Sequence, residues 1–414
     1  SAASDVYKRQ DKYRGRKMSK IMIVAGGNWQ IPIIKTAKKM GHYVICSNLY
    51  EDSPAFEFAD IGEVADVRDK TKNLEIAKKY MPDAILTDQS DIAVPTVAYI
   101  ADELGLRGIG YDNAKLFTNK FAMREFCRAN GFAYPEYQLC TEKSEAKQFL
   151  NKNGKSIVKP LDSQSSRGIH VVENAMDIDE YFDDALQYSN VEHAILIEQY
   201  IEGREFTVDG IKLDDTYHVT AISKKAHYDY NPSIAKELLF SNYDDEYDYD
   251  ELRAINKAMV CEMNLPFGLT HAEYKYMNGK FYLIEIAARG GGTRISSDIV
   301  PIMSGINSNE VYINSLLGIE QRISVNYEKD KFAMLGFFDF SEGKIKNITG
   351  IQNALSLDGV VDIGLDIKPG DVIKNAEDDR SRVGYYILKS NSCKGLRTLE
   401  KKMKSSICID YEGV

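Results

Sequence analysis

What this chain lacks narrows its class before any motif is read. Its six cysteines, Cys46, Cys127, Cys140, Cys261, Cys393 and Cys408, form no CxxC pair and no Cys/His group of zinc spacing. They are read as reduced, mostly buried thiols of a cytoplasmic protein. No apolar run approaches the length of a membrane span. The polar, basic first residues carry no signal-peptide core, and residues 1–19 are expected to be a disordered leader or to reflect a mis-assigned start. Basic charge is also short. A formal net charge of −10 argues against a nucleic-acid binder, which needs a positive surface to displace counterions from phosphates. What remains is a soluble globular composition, 44% hydrophobic and 28% charged, in a chain of 414 residues, too long for one core.

The first third alternates strand and helix patterns. An apolar run at 21–25 ends in Gly26-Gly27, a helical spacing follows over 31–40, and a second strand runs over 43–46. Further units, a helix at 71–80, a strand at 84–87 and a helix at 95–104, extend a parallel sheet, so residues 20–112 are expected to be a Rossmann-like domain. GGNWQ is not GxGxxG and no acidic residue ends the second strand, so dinucleotide binding is not implied. Asp88 and Asp91 follow a strand at the end where such sheets place ligands, although Asp91 capping the next helix is the simpler reading.

The middle of the chain holds charges in apolar settings. Lys120 lies on a helix within 112–132. Lys159 sits in the apolar strand 157–160, where an ammonium needs a partner. The small-residue turn 161–168, including Ser163, Ser165, Ser166 and Gly168, could wrap backbone N–H groups round phosphates or could be an ordinary hairpin loop. A further strand, 194–199, ends in Glu198-Gln199, with Tyr200, Ile201 and then Glu205 opening the next. Residues 270–294 read as two strands joined at Asn278-Gly279, with Glu273 on the first, Glu285 on the second, and Arg289 and three glycines after them. Two carboxylates before an arginine and a glycine-rich loop suggest a metal and phosphate site. A hairpin with two solvent-facing glutamates is the rival.

In their order along the chain, TNKFAMR, VKP, the small-residue loop, EQYIEGREF, HAE and IEIAAR resemble the ATP-grasp superfamily of carboxylate-amine and carboxylate-thiol ligases, in the arrangement shared by biotin carboxylase and carbamoyl-phosphate synthetase. The resemblance covers most of 20–320. It implies an α/β and α+β protein: the Rossmann-like domain, an ATP-grasp domain over 113–321 with a mobile lid near 121–199, and a small β-rich C-terminal domain over 322–414. It further implies that Lys120 and Lys159 hold ATP phosphates, residues 163–168 form a phosphate loop, Glu198 and the backbone of Gln199, Tyr200 and Ile201 read adenine, and Glu205 takes the ribose. Glu273 and Glu285 would bind Mg2+, two ions with Glu285 shared, with Mn2+ as an alternative. Arg289 would face a carboxylate or its acyl phosphate. Lys224, Lys225, His227, Gly290, Gly291 and Arg294 are acceptor-side candidates. The chain departs from the family at Ala287, where many members carry Asn as a metal ligand, so a water would fill that position or the second ion would be held less firmly.

The expected activity is an ADP-forming ligation of a small carboxylate to an amine, an amino acid or amino-sugar-like molecule, without nucleic acid or membrane and with a homodimer left open. A bicarbonate-activating carboxylase subunit and a non-catalytic ATP-binding regulator are the alternatives; no Ala-Met-Lys-Met biotin-attachment motif is present. A shared metal site also constrains one turn. With a two-residue turn at Asn278-Gly279, Glu273 faces Ile284 and Glu285 falls on the other face. The expectation is therefore a three-residue turn over 277–279 with a bulge, which sets Glu273 opposite Leu283 and beside Glu285.

Overall fold

The computed structural model describes residues 18–162, 167–189 and 192–413. Residues 1–17 of the expected leader and the loop serines Ser163, Ser165 and Ser166 lie outside them. Strands β1 (Lys20–Val24), β2 (Tyr43–Asn48), β3 (Ile61–Val64) and β4 (Ala84–Leu86) form a parallel sheet in the order β3-β2-β1-β4. Alternation along β1 explains its continuous apolar run. Ile21 and Ile23 share a core with Ile33, Ile34 and Ala37 of the helix Ile31–Lys39, whereas Met22 and Val24 share one with residues of the helices Lys70–Tyr80 and Val94–Leu104. Both faces are covered, as a Rossmann-like sheet requires. Of the cysteines, Cys46, Cys127 and Cys140 are buried but Cys261, Cys393 and Cys408 are exposed, so only half are core thiols.

A second sheet is antiparallel: β5 (Tyr137–Cys140), β6 (Ser156–Pro160), β7 (His170–Val172) and β8 (Ile195–Gln199), ordered β5-β8-β6-β7. Val158, Ile195 and Ile197 pack against the helices Lys143–Asn153 and Ala175–Leu186. Period-two alternation turns Lys159 and Glu198 to the opposite face.

The third sheet is the largest. Strands β9 (Arg204–Lys212), β10 (Tyr217–Tyr228), β11 (Asn231–Ser241), β12 (Gly268–Met277), β13 (Lys280–Ala287) and β14 (Phe332–Phe337) are joined from the C-terminal region by β16 (Val360–Leu365) and β18 (Gly384–Ser390), while β15 (Gly343–Thr349), β17 (Val372–Ile373) and β19 (Cys408–Tyr411) form a small separate sheet. The order β13-β12-β9-β10-β11-β14-β18-β16 makes the C-terminal strands a continuation of the central sheet. The amphipathic helix Tyr249–Glu262 covers one face, and the core there includes Leu252, Met259, Tyr274, Leu283 and Ile286.

The register of β12 and β13 corrects one expectation and preserves its consequence. The turn has two residues, with Met277 opposite Lys280 and Asn278 and Gly279 both at positive φ, 52° and 77°. The extra residue lies further along: Tyr274 pairs Leu283, but Glu273 pairs Glu285, so Ile284 is a bulge. Without it Glu285 would share the face of Phe281 and Leu283 and enter the apolar core. With it Phe281, Leu283 and Ile286 stay inside and Glu285 joins Glu273 on the other face. The bulge also releases the Ile284 carbonyl, which accepts a hydrogen bond of 2.5 Å from Nη2 of the fully buried Arg124.

Arg124→Met should therefore strip the buried Glu198 of a counter-ion and leave the bulge carbonyl unmatched. A loss of about 3–5 kcal/mol in unfolding free energy is expected, the usual cost of breaking a buried ion pair, to be read from urea denaturation of wild type and variant.

Candidate active site

The inward faces of these sheets and the loops between them enclose a cavity of about 660 Å³, lined by Lys120, Lys159, Glu205, Lys225, Glu273, Glu285 and Arg289 among others. The helix Lys120–Ala129 supplies the first cations. Asn119 caps it by accepting from the Ala122 N–H, and its buried stripe is Lys120, Met123, Arg124 and Cys127, spaced i, i+3, i+4, i+7. Two members of an otherwise apolar stripe are thus charged. Lys120 Nζ donates to Glu285 Oε1 at 2.9 Å, and Arg124 Nε to Glu198 Oε1 at 2.6 Å.

Lys159 has the partner that its position demands: its Nζ donates to Glu198 Oε2 at 2.5 Å. Burial pushes the Glu198 carboxyl up, but Arg124 and Lys159 outweigh it and hold the group down to about 2. For Lys159, burial prevails and lowers the ammonium from its usual range despite Glu198. Glu198 is 1% exposed, and in this structure the side chain expected to read adenine has its oxygens taken by Arg124 and Lys159, as their counter-ion. Tyr200 lines the cavity, Ile201 is buried and Gln199 half-buried at the strand end.

On the central sheet Lys225 Nζ bridges Glu205 Oε1 at 2.8 Å and Glu273 Oε1 at 2.6 Å. His227 and Lys275 approach Glu205 Oε2 at 3.4 and 3.9 Å. Burial raises Glu205, yet Lys225 and His227 bring it down to about 2. Lys225 and His227 share the site face of β10. Alternation sends Lys224 to the other side, where it pairs with Asp244, so it does not line the cavity. His271, two residues before Glu273, is buried with Nδ1 at 2.9 Å from Asp209 Oδ1. Burial lowers its pKa, but Asp209 raises it to about 9, making it an imidazolium. It pairs across the sheet with Ala287, so this buried ring stands opposite the position where Asn was expected.

The loop after β13 is held by the N-terminal domain. Arg289 donates from Nε and Nη2 to both oxygens of Asp91, at 2.9 and 2.5 Å, and from Nη1 to the Gly290 carbonyl. Asp91 makes no side-chain cap to the helix after it, contrary to the simpler sequence reading. Asp88 accepts from the Gly290 N–H and Ser296 Oγ. A Cβ on Gly290 would lie 2.4 Å from Asp88 Oδ1, and one on Gly291 2.6 Å from Asp209 Oδ1, so both glycines serve close backbone approach. Gln89, Thr293 and Arg294 all adopt positive φ, and the Arg294 N–H donates to Gln89 Oε1. The Arg294 guanidinium is turned to Asp298 and Asp362. Gly168, also at positive φ, lines a neighbouring groove beside Tyr188 rather than this cavity.

Sequence reasoning missed Arg124 and Asp209, and also Trp29, Arg382 and Tyr385, which line the cavity. Only Arg124 left a local trace, four residues after Lys120 on one helix face. Among the described residues no three His, Cys, Asp or Glu side chains converge as a metal cage. Glu273 and Glu285, directly paired and 27% and 34% open at their side chains, form a hard-oxygen donor set of the kind Mg2+ uses when phosphates and waters complete its shell. In this structure Lys225 and Lys120 neutralise them.

Residues 153–298 match the model of the ATP-grasp domain, and residues 336–412 that of L-amino acid ligase C-terminal domain 2. The chain is 22% identical over 281 residues to dapdiamide A synthase of Enterobacter agglomerans, covering 65% of this chain and 66% of that protein. It is 29% identical over 163 residues to formate-dependent phosphoribosylglycinamide formyltransferase of Chlorobium phaeobacteroides, 39% of this chain and 42% of the relative. The matched stretches thus span under two thirds of either relative. Among solved structures, L-amino acid ligase from Bacillus licheniformis superimposes with a TM-score of 0.82 over 96% of this chain and 100% of that one, at 18% identity, which shows a shared fold. No helix among the described residues is long and apolar enough to cross a membrane.

The Glu198 carboxyl falls from 4.5 to about 2 on folding, so its stabilisation is complete above the unfolded value and lost as pH drops through the folded one. Unfolding free energy measured from about pH 5 down to pH 2 should fall less steeply for Glu198→Gln than for wild type. At neutral pH Lys159→Met should weaken ATP binding by about 1.5–3 kcal/mol in calorimetry, the worth of a charged hydrogen bond.

Proposed function

We propose that this chain, whose residues 153–298 match the ATP-grasp domain, is a ligase that activates a small carboxylate as an acyl phosphate and joins it to the amine of an amino acid, releasing ADP. The observation that carries the reading is the pair Glu273 and Glu285, brought face to face by the Ile284 bulge and capped by Lys225 and Lys120 inside one cavity. The match of 336–412 to an L-amino acid ligase domain favours an amino acid over an amino sugar.

A carboxylate resists attack by an amine because oxide is a poor leaving group. Phosphorylation turns that oxygen into phosphate, after which the amine nitrogen attacks the carbonyl and phosphate departs. The protein needs no covalent nucleophile for this; it must neutralise and align the triphosphate. Glu273 and Glu285 would hold Mg2+, which supplies positive charge to the transferring phosphoryl group. Lys120 and Lys159 would turn from Glu285 and Glu198 toward phosphate oxygens. The backbone after Gln199 would meet the adenine and Glu205 the ribose. Arg289, steered by Asp91, would face the acyl phosphate. Such an intermediate hydrolyses when wet, so the four-stranded sheet bearing Lys159 would act as a lid that closes over the cavity.

A screen of carboxylates crossed with amines for phosphate release, with mass spectrometry of products, tests the reading. ADP formation should require both partners and yield a condensed product. ATPase activity dependent on bicarbonate alone would instead mark a carboxylase subunit, and tight ATP binding without ADP across the panel a regulatory protein. Glu285→Gln should fold as the wild type does, by circular dichroism, and lose substrate-dependent ADP formation.

A further inference from the structure

The cavity has an apolar end that the sequence did not reveal. Its floor is apolar: Ala235 and Leu238 of β11, Leu335 and Phe337 of β14, and Ile295 belong to one hydrophobic cluster and all line the cavity. Over that floor the C-terminal region places Arg382, whose guanidinium lies 3.7 Å from the Phe337 ring centroid and whose side chain is 11% exposed. One edge, Nη2, pairs with Asp379 at 2.6 Å, but Nε is buried with no hydrogen-bond partner among the described residues. Arg289 and Arg294 are engaged on each guanidinium nitrogen, Arg289 by Asp91 and the Gly290 carbonyl, Arg294 by Asp298 and Asp362. Arg380 also borders the cavity, but it is exposed at the surface and engaged by Asp378.

We propose that Arg382 is a specificity residue of the acceptor site and binds the non-reacting carboxylate of an amino acid whose apolar side chain lies on the β11–β14 floor. The inference rests on the ligase reading and adds the residue that recognises the accepted amino acid and the apolar character of its side chain. A buried guanidinium with an unmatched N–H is costly until an anion completes its shell. Burial lowers its pKa, although Asp379, Tyr228, Glu273 and Asp378 act to raise it. Arginine's planar fork suits a carboxylate, and its stacking on Phe337 fixes the plane of the fork beside an apolar pocket. An amine lacking a carboxylate would leave Nε as unsatisfied as it is in the empty site, so the arrangement discriminates amino acids from simple amines.

The test compares L-leucine, L-methionine and L-phenylalanine with their amides, titrated calorimetrically into wild type, Arg382→Met and Arg382→Lys in the presence of Mg2+ and a non-hydrolysable ATP analogue. For wild type the acids should bind about ten- to a hundredfold more tightly than the amides, the range of one charge-assisted hydrogen bond. Arg382→Met should abolish that ratio and Arg382→Lys retain part of it. If Arg382→Met fails to fold, the wild-type ratio and the lysine variant decide. Equal binding of acid and amide by wild type, an unchanged ratio in the variants, or no binding by any of the three amino acids overturns the assignment. Weakened binding of the ATP analogue with an unchanged ratio also overturns it, by placing Arg382 on a phosphate. Absence of ADP release with every carboxylate and amine pair sinks the ligase reading instead, while the acid-to-amide ratio still reports on Arg382.

Discussion

One buried guanidinium ties the site together. Arg124 touches Glu198 at the end of β8 and the bulge carbonyl of Ile284 in β13, and Glu198 in turn holds Lys159. Three separate elements, a helix, the four-stranded sheet and the edge of the eight-stranded sheet, therefore meet through charges that are almost fully removed from water. Burying such ions is unfavourable unless every partner is present. That condition makes the network a specifier of geometry: the bulge, the helix and the lysine strand are compatible only in the arrangement that satisfies all of them. Lys120, on the same helix face, then reaches Glu285 because the bulge has already turned that carboxylate outward.

The N-terminal domain takes part in the site through two carboxylates after β4. Asp88 accepts from the Gly290 N–H, and Asp91 holds the Arg289 guanidinium. Burial raises the Asp88 carboxyl, and the hydrogen bonds from Ser296 and Gln89 offset only part of that. This explains why a sheet without a dinucleotide fingerprint still ends at the cavity. Its strand ends position the loop of another domain, and the glycines of that loop permit the approach.

Much of the fold was legible because its causes are local. The β-α-β rhythm of 20–112 and the strands around Lys159, Glu198 and Glu285 follow from runs of apolar residues and turn-forming glycines. The need for Glu273 and Glu285 to share a face was legible too. The device that achieves it was not: a bulge at Ile284 depends on the apolar core under Leu283 and Ile286 and on a donor, Arg124, that lies 160 residues away. Asp91 misled for a similar reason, since a carboxylate before a helix is locally a cap and only the folded chain brings Arg289 to it. Lys224 and Lys225 are indistinguishable in composition, and strand alternation separates them only once the face of β10 is known.

The sequence by itself determined the order of motifs, the class of fold and the strands that carry the charged side chains, because periodicity and turn chemistry act over a few residues. Tertiary structure decided which charges cancel. Arg289 and Arg294 carry the sequence motif yet are satisfied by carboxylates, Arg289 by the distant Asp91 and Arg294 by the neighbouring Asp298 and the distant Asp362, while Arg382, in a stretch with no motif, keeps an unmatched N–H over an apolar floor. Electrostatic balance is a sum over neighbours in space, and those neighbours exist only after folding.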